Sequence, residues 1–263
     1  MSFERQFSKR NTLGIIGFGA FGRLIAEHLF AHFDLYAYDA TAGLERKAAD
    51  RGITLTSLQE VAQCDVVVLA TPVSCCVEVA KSIAPICRPG ALVLDVGSVK
   101  VQPSEVMREF LPHYVHIVAM HPLFGPESGR DGIAGLKIAI CPLRGCRRRL
   151  VARFLRVQLG LQVIETTPEA HDREAATVQG LTHLIGKVLL EMGPLPTRMT
   201  TRSFDLLVEA ISMVQNDAPE VFDAIENANP YARDVRRRFF RLASDLNWEL
   251  ERPDLQECGV SKT

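Results

Sequence analysis

The sequence predicts an α/β chain: a Rossmann-type doubly wound sheet, mostly parallel, followed by a smaller all-helical dimerisation domain. Three observations predict it. Strand and helix patterns alternate from residue 12 to about residue 165. The series opens with a strand, a glycine turn and a helix. Strand signals stop after Glu165, where one long helical pattern takes over. The expected units are residues 1–166 for the α/β domain, 167–250 for the helical domain and 251–263 for a frayed tail.

The first strand, 12–17, rests on Leu13, Ile15 and Ile16. Gly17-Phe18-Gly19-Ala20-Phe21-Gly22 follows in G-x-G-x-x-G spacing, and Leu24, Ile25, His28 and Leu29 then recur at helical spacing. That context is the dinucleotide fingerprint. Gly17 allows the tight turn, Gly19 lets backbone approach a pyrophosphate, and Gly22 lets helix pack on strand. The helix N-terminus offers free N–H groups to the phosphates. Residues 17–22 are therefore candidate cofactor-binding positions. The second strand, 34–38, runs into Asp39, about 20 residues past the first glycine, where a carboxylate accepts bonds from ribose hydroxyls. It would also repel a 2′-phosphate, and no arginine follows immediately, so NAD is favoured over NADP. The bland alternative for Asp39 is a turn cap.

Further strands are expected at 53–56, 65–70, 91–96, 115–119, 136–141 and 161–165. Those at 65–70 and 91–96 are continuous apolar runs, as expected of strands covered on both faces. The long helix spans Glu169 to Met192, with Ala175, Val178, Leu181, Ile185, Val188, Leu189 and Met192 as its apolar stripe. Gly193-Pro194-Leu195-Pro196 ends it. Helices are expected at 203–215, 218–228 and 231–250. So apolar a helix is hard to bury in a unit this small, which predicts a homodimer through the helical domain.

Bulk properties narrow the class. Hydrophobic content of 47%, charged content of 23% and net charge −1 describe a soluble globular protein with no footprint for nucleic acid or anionic membrane. The basic run Arg144 to Arg149 reads as a solvated helix start. The seven cysteines are odd in number, and Met1 to Arg10 is polar and charged rather than signal-like, which fits a reducing cytoplasm. No C-x-x-C pair occurs, so no metal site is expected.

In an open α/β sheet, ligands bind outside the carboxyl ends of the strands. Three polar segments fall there. Thr71-Pro72, after the fourth strand, is expected to line the adenosine or ribose path. Ser98 and Lys100, in Asp95-Val-Gly-Ser-Val-Lys100 after the fifth, are expected to point into the cleft near the nicotinamide. His121 lies near the start of the stiff loop Met120-His-Pro-Leu-Phe-Gly-Pro-Glu-Ser-Gly129 after the sixth, a way to present a general base.

Taken together, the glycine fingerprint, the Ser98-x-Lys100 segment and the His121-Pro loop resemble the prephenate/arogenate dehydrogenase family of tyrosine biosynthesis. His171-Asp172 and Gln179-Gly-Leu-Thr-His183 on the long helix are similar to that family's substrate-domain helix. The resemblance covers residues 12 to about 228, and Phe124-Gly-Pro-Glu-Ser-Gly129 is nearest the plant arogenate branch. It implies an enzyme: NAD-dependent oxidative decarboxylation of prephenate or arogenate, with a small-molecule substrate and neither metal nor covalent nucleophile. His121 would accept the substrate's hydroxyl proton, and Ser98 would hydrogen-bond to His121 and orient it. Ser98, Lys100, His121, Gly125, Gln179 and His183 would contact substrate. Family members that use prephenate carry an arginine in a later helix to hold the side-chain carboxylate. Ser212 stands at that place here, with Arg198 and Arg202 upstream. Asp217 is the candidate partner for the ammonium that distinguishes arogenate, the alternative being an N-cap for the following helix.

Two other readings remain at this level. A hydroxyacid or imine dehydrogenase shares the layout but usually carries a lysine or aspartate on the long helix, where Lys187 is the only lysine and lies late. A non-catalytic dinucleotide sensor would need the glycines and Asp39 but neither His121 nor Ser98.

Overall fold

A computed structural model describes residues 11–44, 48 and 52–252 of the chain. Met1–Arg10, nearly all of the expected tail and Cys258 lie outside the described residues. The strands are β1 (Thr12–Ile16), β2 (Asp34–Tyr38), β3 (Thr54–Leu55), β4 (Val66–Leu69), β5 (Leu92–Asp95), β6 (His116–Pro122), β7 (Lys137–Arg144) and β8 (Gln162–Glu165). They form one sheet in the order β3-β2-β1-β4-β5-β6-β7-β8. Strands β1 to β6 are mutually parallel, β7 runs antiparallel to β6, and β8 is parallel to β7.

The alternation of side chains along each strand builds two cores. Val68, Leu94 and Val118 face one layer with Leu13, Ile15, Ala26 and Leu155. Their immediate neighbours Val67, Val93 and Ile117 face the other, with Val61, Ile83 and Met107. The helices that cover these layers are α1 (Ala20–Leu29), α2 (Leu58–Ala62), α3 (Cys76–Ile83), α4 (Val101–Phe110) and α5 (Arg148–Val157). The sheet is therefore doubly wound, and the strand order reverses at β1, whose neighbours are β2 and β4. That crevice is where such sheets bind ligands.

The helical part begins with α6 (Pro168–Glu191), started by Thr167, whose Oγ1 accepts the Ala170 amide at 3.2 Å, and by a proline in the first turn. Then come α7 (Arg202–Ser212), α8 (Pro219–Asp223), a π turn at Ala224–Ala228 and α9 (Ala232–Glu251). The expected helix over 218–228 is thus a short α-helix continued by π geometry, a form frequent at functional sites. Among the described residues no helix is long and apolar enough to cross a membrane.

One sequence expectation is corrected here. His121 and Pro122 do not lie in a loop. They are the last residues of β6, and His121 is paired with Ala139 of the antiparallel β7. The extra strand partner holds the histidine more rigidly than a loop would.

Candidate active site

The glycine turn between β1 and α1 is built as its spacing requires. Gly17 has φ +98°, and a Cβ there would lie 2.6 Å from the Ala70 carbonyl oxygen. A Cβ at Gly22 would meet the Gly17 carbonyl oxygen at 2.0 Å, so turn and helix can touch only through glycine. A Cβ at Gly19 would meet nothing within 4 Å. That space lies over the N-terminus of α1, which carries no side-chain cap and no acidic residue in its first turn. Its N–H groups are available to an anion.

Asp39 braces this turn. Its carboxylate accepts the Phe18 amide at 2.7 Å and the Thr41 amide at 2.8 Å. It is thus a turn cap, and a carboxylate has lone pairs left for ribose hydroxyls. Gly19, Ala20, Phe21, Thr71, Pro72 and Ser98 then line a cleft of about 370 Å³. Its far wall comes from the helical part, at Asp217, Glu220 and Val221.

His121 is 4% exposed. Its Nδ1 lies 2.8 Å from Nε2 of His171, and Nδ1 of His171 lies 2.7 Å from Oδ1 of Asp172. Both partners come from the start of α6. Nε2 of His121 faces the Gln179 side-chain amide at 3.4 Å. Burial foremost, then charge on His171 and the Lys100 ammonium, hold the His121 imidazole well below its ordinary pKa. The ring is neutral at pH 7 and able to accept a proton. The expected hydrogen bond from Ser98 to His121 does not form. Ser98 lines the cleft instead, and His171 takes the orienting place.

Lys100 departs from expectation entirely. It is fully buried rather than pointing into the cleft. Its ammonium pairs with Asp95 and donates to the Met120 carbonyl at 2.6 Å. The lysine ties the end of β5 to the end of β6 and acts on His121 as a positive charge. It does not line the cleft.

Across the cleft, His183 is buried and has both ring nitrogens engaged. Nδ1 lies 2.9 Å from the Gln179 carbonyl oxygen and Nε2 lies 3.1 Å from Asp217. Both partners are acceptors, so the imidazolium satisfies both. Burial alone would lower its pKa, but the Asp217 hydrogen bond, the Gln179 carbonyl and the charges of Asp217 and Glu226 together raise it. Asp217, not the His183 ring, lines the cleft. Asp217 does not cap α8: the N-cap is Ala218, without a side-chain bond. Gly125 approaches Asp217 from the β6–β7 loop, where an added Cβ would stand 3.8 Å from Oδ1.

Three residues escaped sequence reasoning in these roles. His171 and Asp172 were legible as a motif, but nothing in one sequence places them behind His121, 50 residues away. Glu226, on the π turn, is 4% exposed and pairs with Arg236 through Oε2. Its Oε1 is buried without a partner beside Gly180, as is Oε1 of Gln179. Unpaired buried acceptors mark places where a ligand's donors can go.

Comparisons with known proteins bear on the fold and the family. The family described as prephenate dehydrogenase, nucleotide-binding domain, matches residues 21–136. Arogenate dehydrogenase 2, chloroplastic, of Arabidopsis thaliana is 29% identical over 261 residues, covering 94% of this chain and 72% of that protein. The 4-amino-4-deoxyprephenate dehydrogenase of Streptomyces pristinaespiralis is 28% identical, covering 90% of this chain and 84% of its own. Two longer relatives are spanned over only 43% and 39% of their length. Among solved structures, the prephenate dehydrogenase from A. aeolicus in complex with hydroxyphenyl propionate and NAD+ superposes with TM-score 0.74. It is 23% identical, and the match covers 93% of this chain and 92% of that one, which establishes a shared fold.

Proposed function

This chain belongs to the prephenate/arogenate dehydrogenase family, and from that premise we propose that it catalyses the NAD-dependent oxidative decarboxylation of arogenate, prephenate or both. The observation that carries the proposal is His121: a buried, neutral imidazole at the end of β6, in a sheet whose β1–α1 turn is built to take a dinucleotide. The substrate is a cyclohexadienol with a 4-hydroxyl and a ring carboxylate. NAD, when bound at residues 17–22 and Asp39, supplies the acceptor for the hydride from C4. His121 Nε2 takes the hydroxyl proton, displacing its long contact with Gln179. The C–COO⁻ bond breaks, CO2 leaves, the released electron pair completes the aromatic ring with its oxygen as phenolate, and His121 returns the proton to that oxygen. Thr71, Pro72 and Ser98 wall the cofactor path. A steady-state assay with both substrates and both cofactors tests the reading, and no turnover of either substrate would overturn it.

Cofactor choice rests on Asp39. NAD is expected to exceed NADP in kcat/KM, and Asp39→Ser to narrow the gap. Because the carboxylate also accepts the Phe18 and Thr41 amides, the variant should lose some thermal stability as well. A wild-type preference for NADP would remove Asp39 from this role.

Substrate choice rests on Asp217. With the cap role gone and its carboxylate on the cleft wall, Asp217 is the group placed to meet an ammonium. Arogenate is therefore expected to be used at least as well as prephenate. Asp217→Asn should lower the arogenate-to-prephenate ratio of kcat/KM, and an unchanged ratio would leave Asp217 as the partner of His183 alone.

The helical part, in this reading residues 167–250, forms a two-fold dimer. Val178 and Val188 on α6, Met192 at its C-cap, and Leu242, Leu246 and Trp248 on α9 are exposed in a single chain. So much apolar side chain on adjoining helices is characteristic of a divided core, with Ile185, Val188 and Leu189 within it. Light scattering should give the dimer mass at micromolar concentration, and a monomer would count against it. The described cysteines are all free thiols, and burial pushes Cys76 and Cys141 up to about 12, consistent with a reducing cytoplasm.

A further inference from the structure

We propose that His171 is the second imidazole of a proton relay: the substrate proton binds at His121 Nε2, the His121 Nδ1 proton passes to His171 Nε2, and the positive charge comes to rest beside Asp172. The inference rests on the reading of His121 as the base. It starts from hydrogen-bond polarity. Asp172 can only accept, so Nδ1 of His171 is the donor at 2.7 Å. In the neutral ring, Nε2 of His171 then carries a lone pair, and at 2.8 Å it accepts from Nδ1 of His121. Nε2 of His121 is left bare toward Gln179, the state a base requires.

The charges around the two rings differ. The Lys100 ammonium, paired with Asp95, acts on His121 as a positive charge. A cation on His121 is therefore repelled by Lys100. His171 has the Asp172 carboxylate in direct contact. Asp172 is fully buried and accepts, besides His171, the Lys100 amide at 2.7 Å and the Val101 amide at 2.8 Å at the start of α4. Those donors fix the carboxylate in place. Its own carbonyl is tied down by Asn229 at 2.8 Å. One proton moving from His121 Nδ1 to His171 Nε2 carries the charge away from a lysine and to the side of a carboxylate, with no net change in protons. Between turnovers the proton returns by the same two nitrogens.

His171→Gln separates the relay from simple positioning. Its side-chain oxygen can accept from His121 Nδ1 and keep the ring oriented, but it cannot take up a proton. We expect kcat to fall roughly 100-fold, a usual size for a proton-transfer effect, with KM and NAD affinity within a few-fold. The acid limb of kcat against pH should shift, because it then reports His121 alone rather than the coupled pair. Should His171→Gln keep kcat within about threefold of wild type with the limb in place, His171 only positions the ring and the relay is wrong. Wild-type single-turnover NADH formation in H2O–D2O mixtures gives a second measurement that needs no variant. A bowed dependence on deuterium fraction is expected from two protons in flight, and a straight line would overturn the relay. His121→Asn distinguishes the two levels: if it stays active, the base assignment fails, whereas an inactive His121→Asn beside a fully active His171→Gln removes the relay alone.

Discussion

His121→Asn is expected to lower kcat by roughly 10²–10⁴ while leaving NAD affinity nearly unchanged, the range of a lost general base. Asn has no group that accepts a proton near pH 7, yet it is close to the imidazole in size, so the β6 end and its pairing with Ala139 should persist. The sign of the pH dependence follows from the site. Burial and the neighbouring positive charge hold His121 well below its ordinary value, so the base is competent at neutrality. Wild-type activity should fall only on the acid side, as the ring protonates, with a midpoint below that of a free histidine. Stopped-flow and steady-state rates over a pH series measure both effects. A variant with near-normal kcat would end the mechanism.

Lys100→Met is expected to be the most destabilising of the single changes considered. The ammonium and Asp95 are buried together, at 0% and 5% exposure for the two residues. Removing one member of a buried pair leaves an uncompensated charge, a loss of about 3–5 kcal/mol. Denaturant unfolding reads it directly. Adding Asp95→Asn should recover part of the loss, because the stranded carboxylate is then gone, although Asp95 also accepts the Gly97 amide. Removing the ammonium also lifts one of the influences that depress His121, so the acid limb of the residual activity should move to higher pH. Had Lys100 bound substrate, the variant would raise KM at unchanged stability, and that outcome would refute the structural role.

Much of the fold was legible because its signals are local. The apolar runs at 65–70 and 91–96 read as strands covered on both faces, and β4 and β5 are buried within the sheet. The spacing of Gly17, Gly19 and Gly22 encodes close approaches within a single turn, and those approaches are present. The end of β6 was misjudged because His121-Pro122 reads as a loop start. Its strand character comes from β7, which begins 15 residues further on and pairs antiparallel.

The site was legible only in its residue types. A serine and a lysine after β5 and a histidine at the end of β6 could be placed near one another, because strand ends of an open parallel sheet converge. Which way each side chain turns depends on partners far away in the chain. Asp95 and the Met120 carbonyl draw Lys100 inward, His171 displaces Ser98 from His121, and His183 holds Asp217 to the cleft wall. The sequence by itself determined the fold class, the dinucleotide turn and the family, since each is written in short-range spacing. Only the tertiary structure decided the roles of Lys100, His171 and Asp172, because burial, tautomer and charge pairing are properties of the packed interface between the sheet and α6.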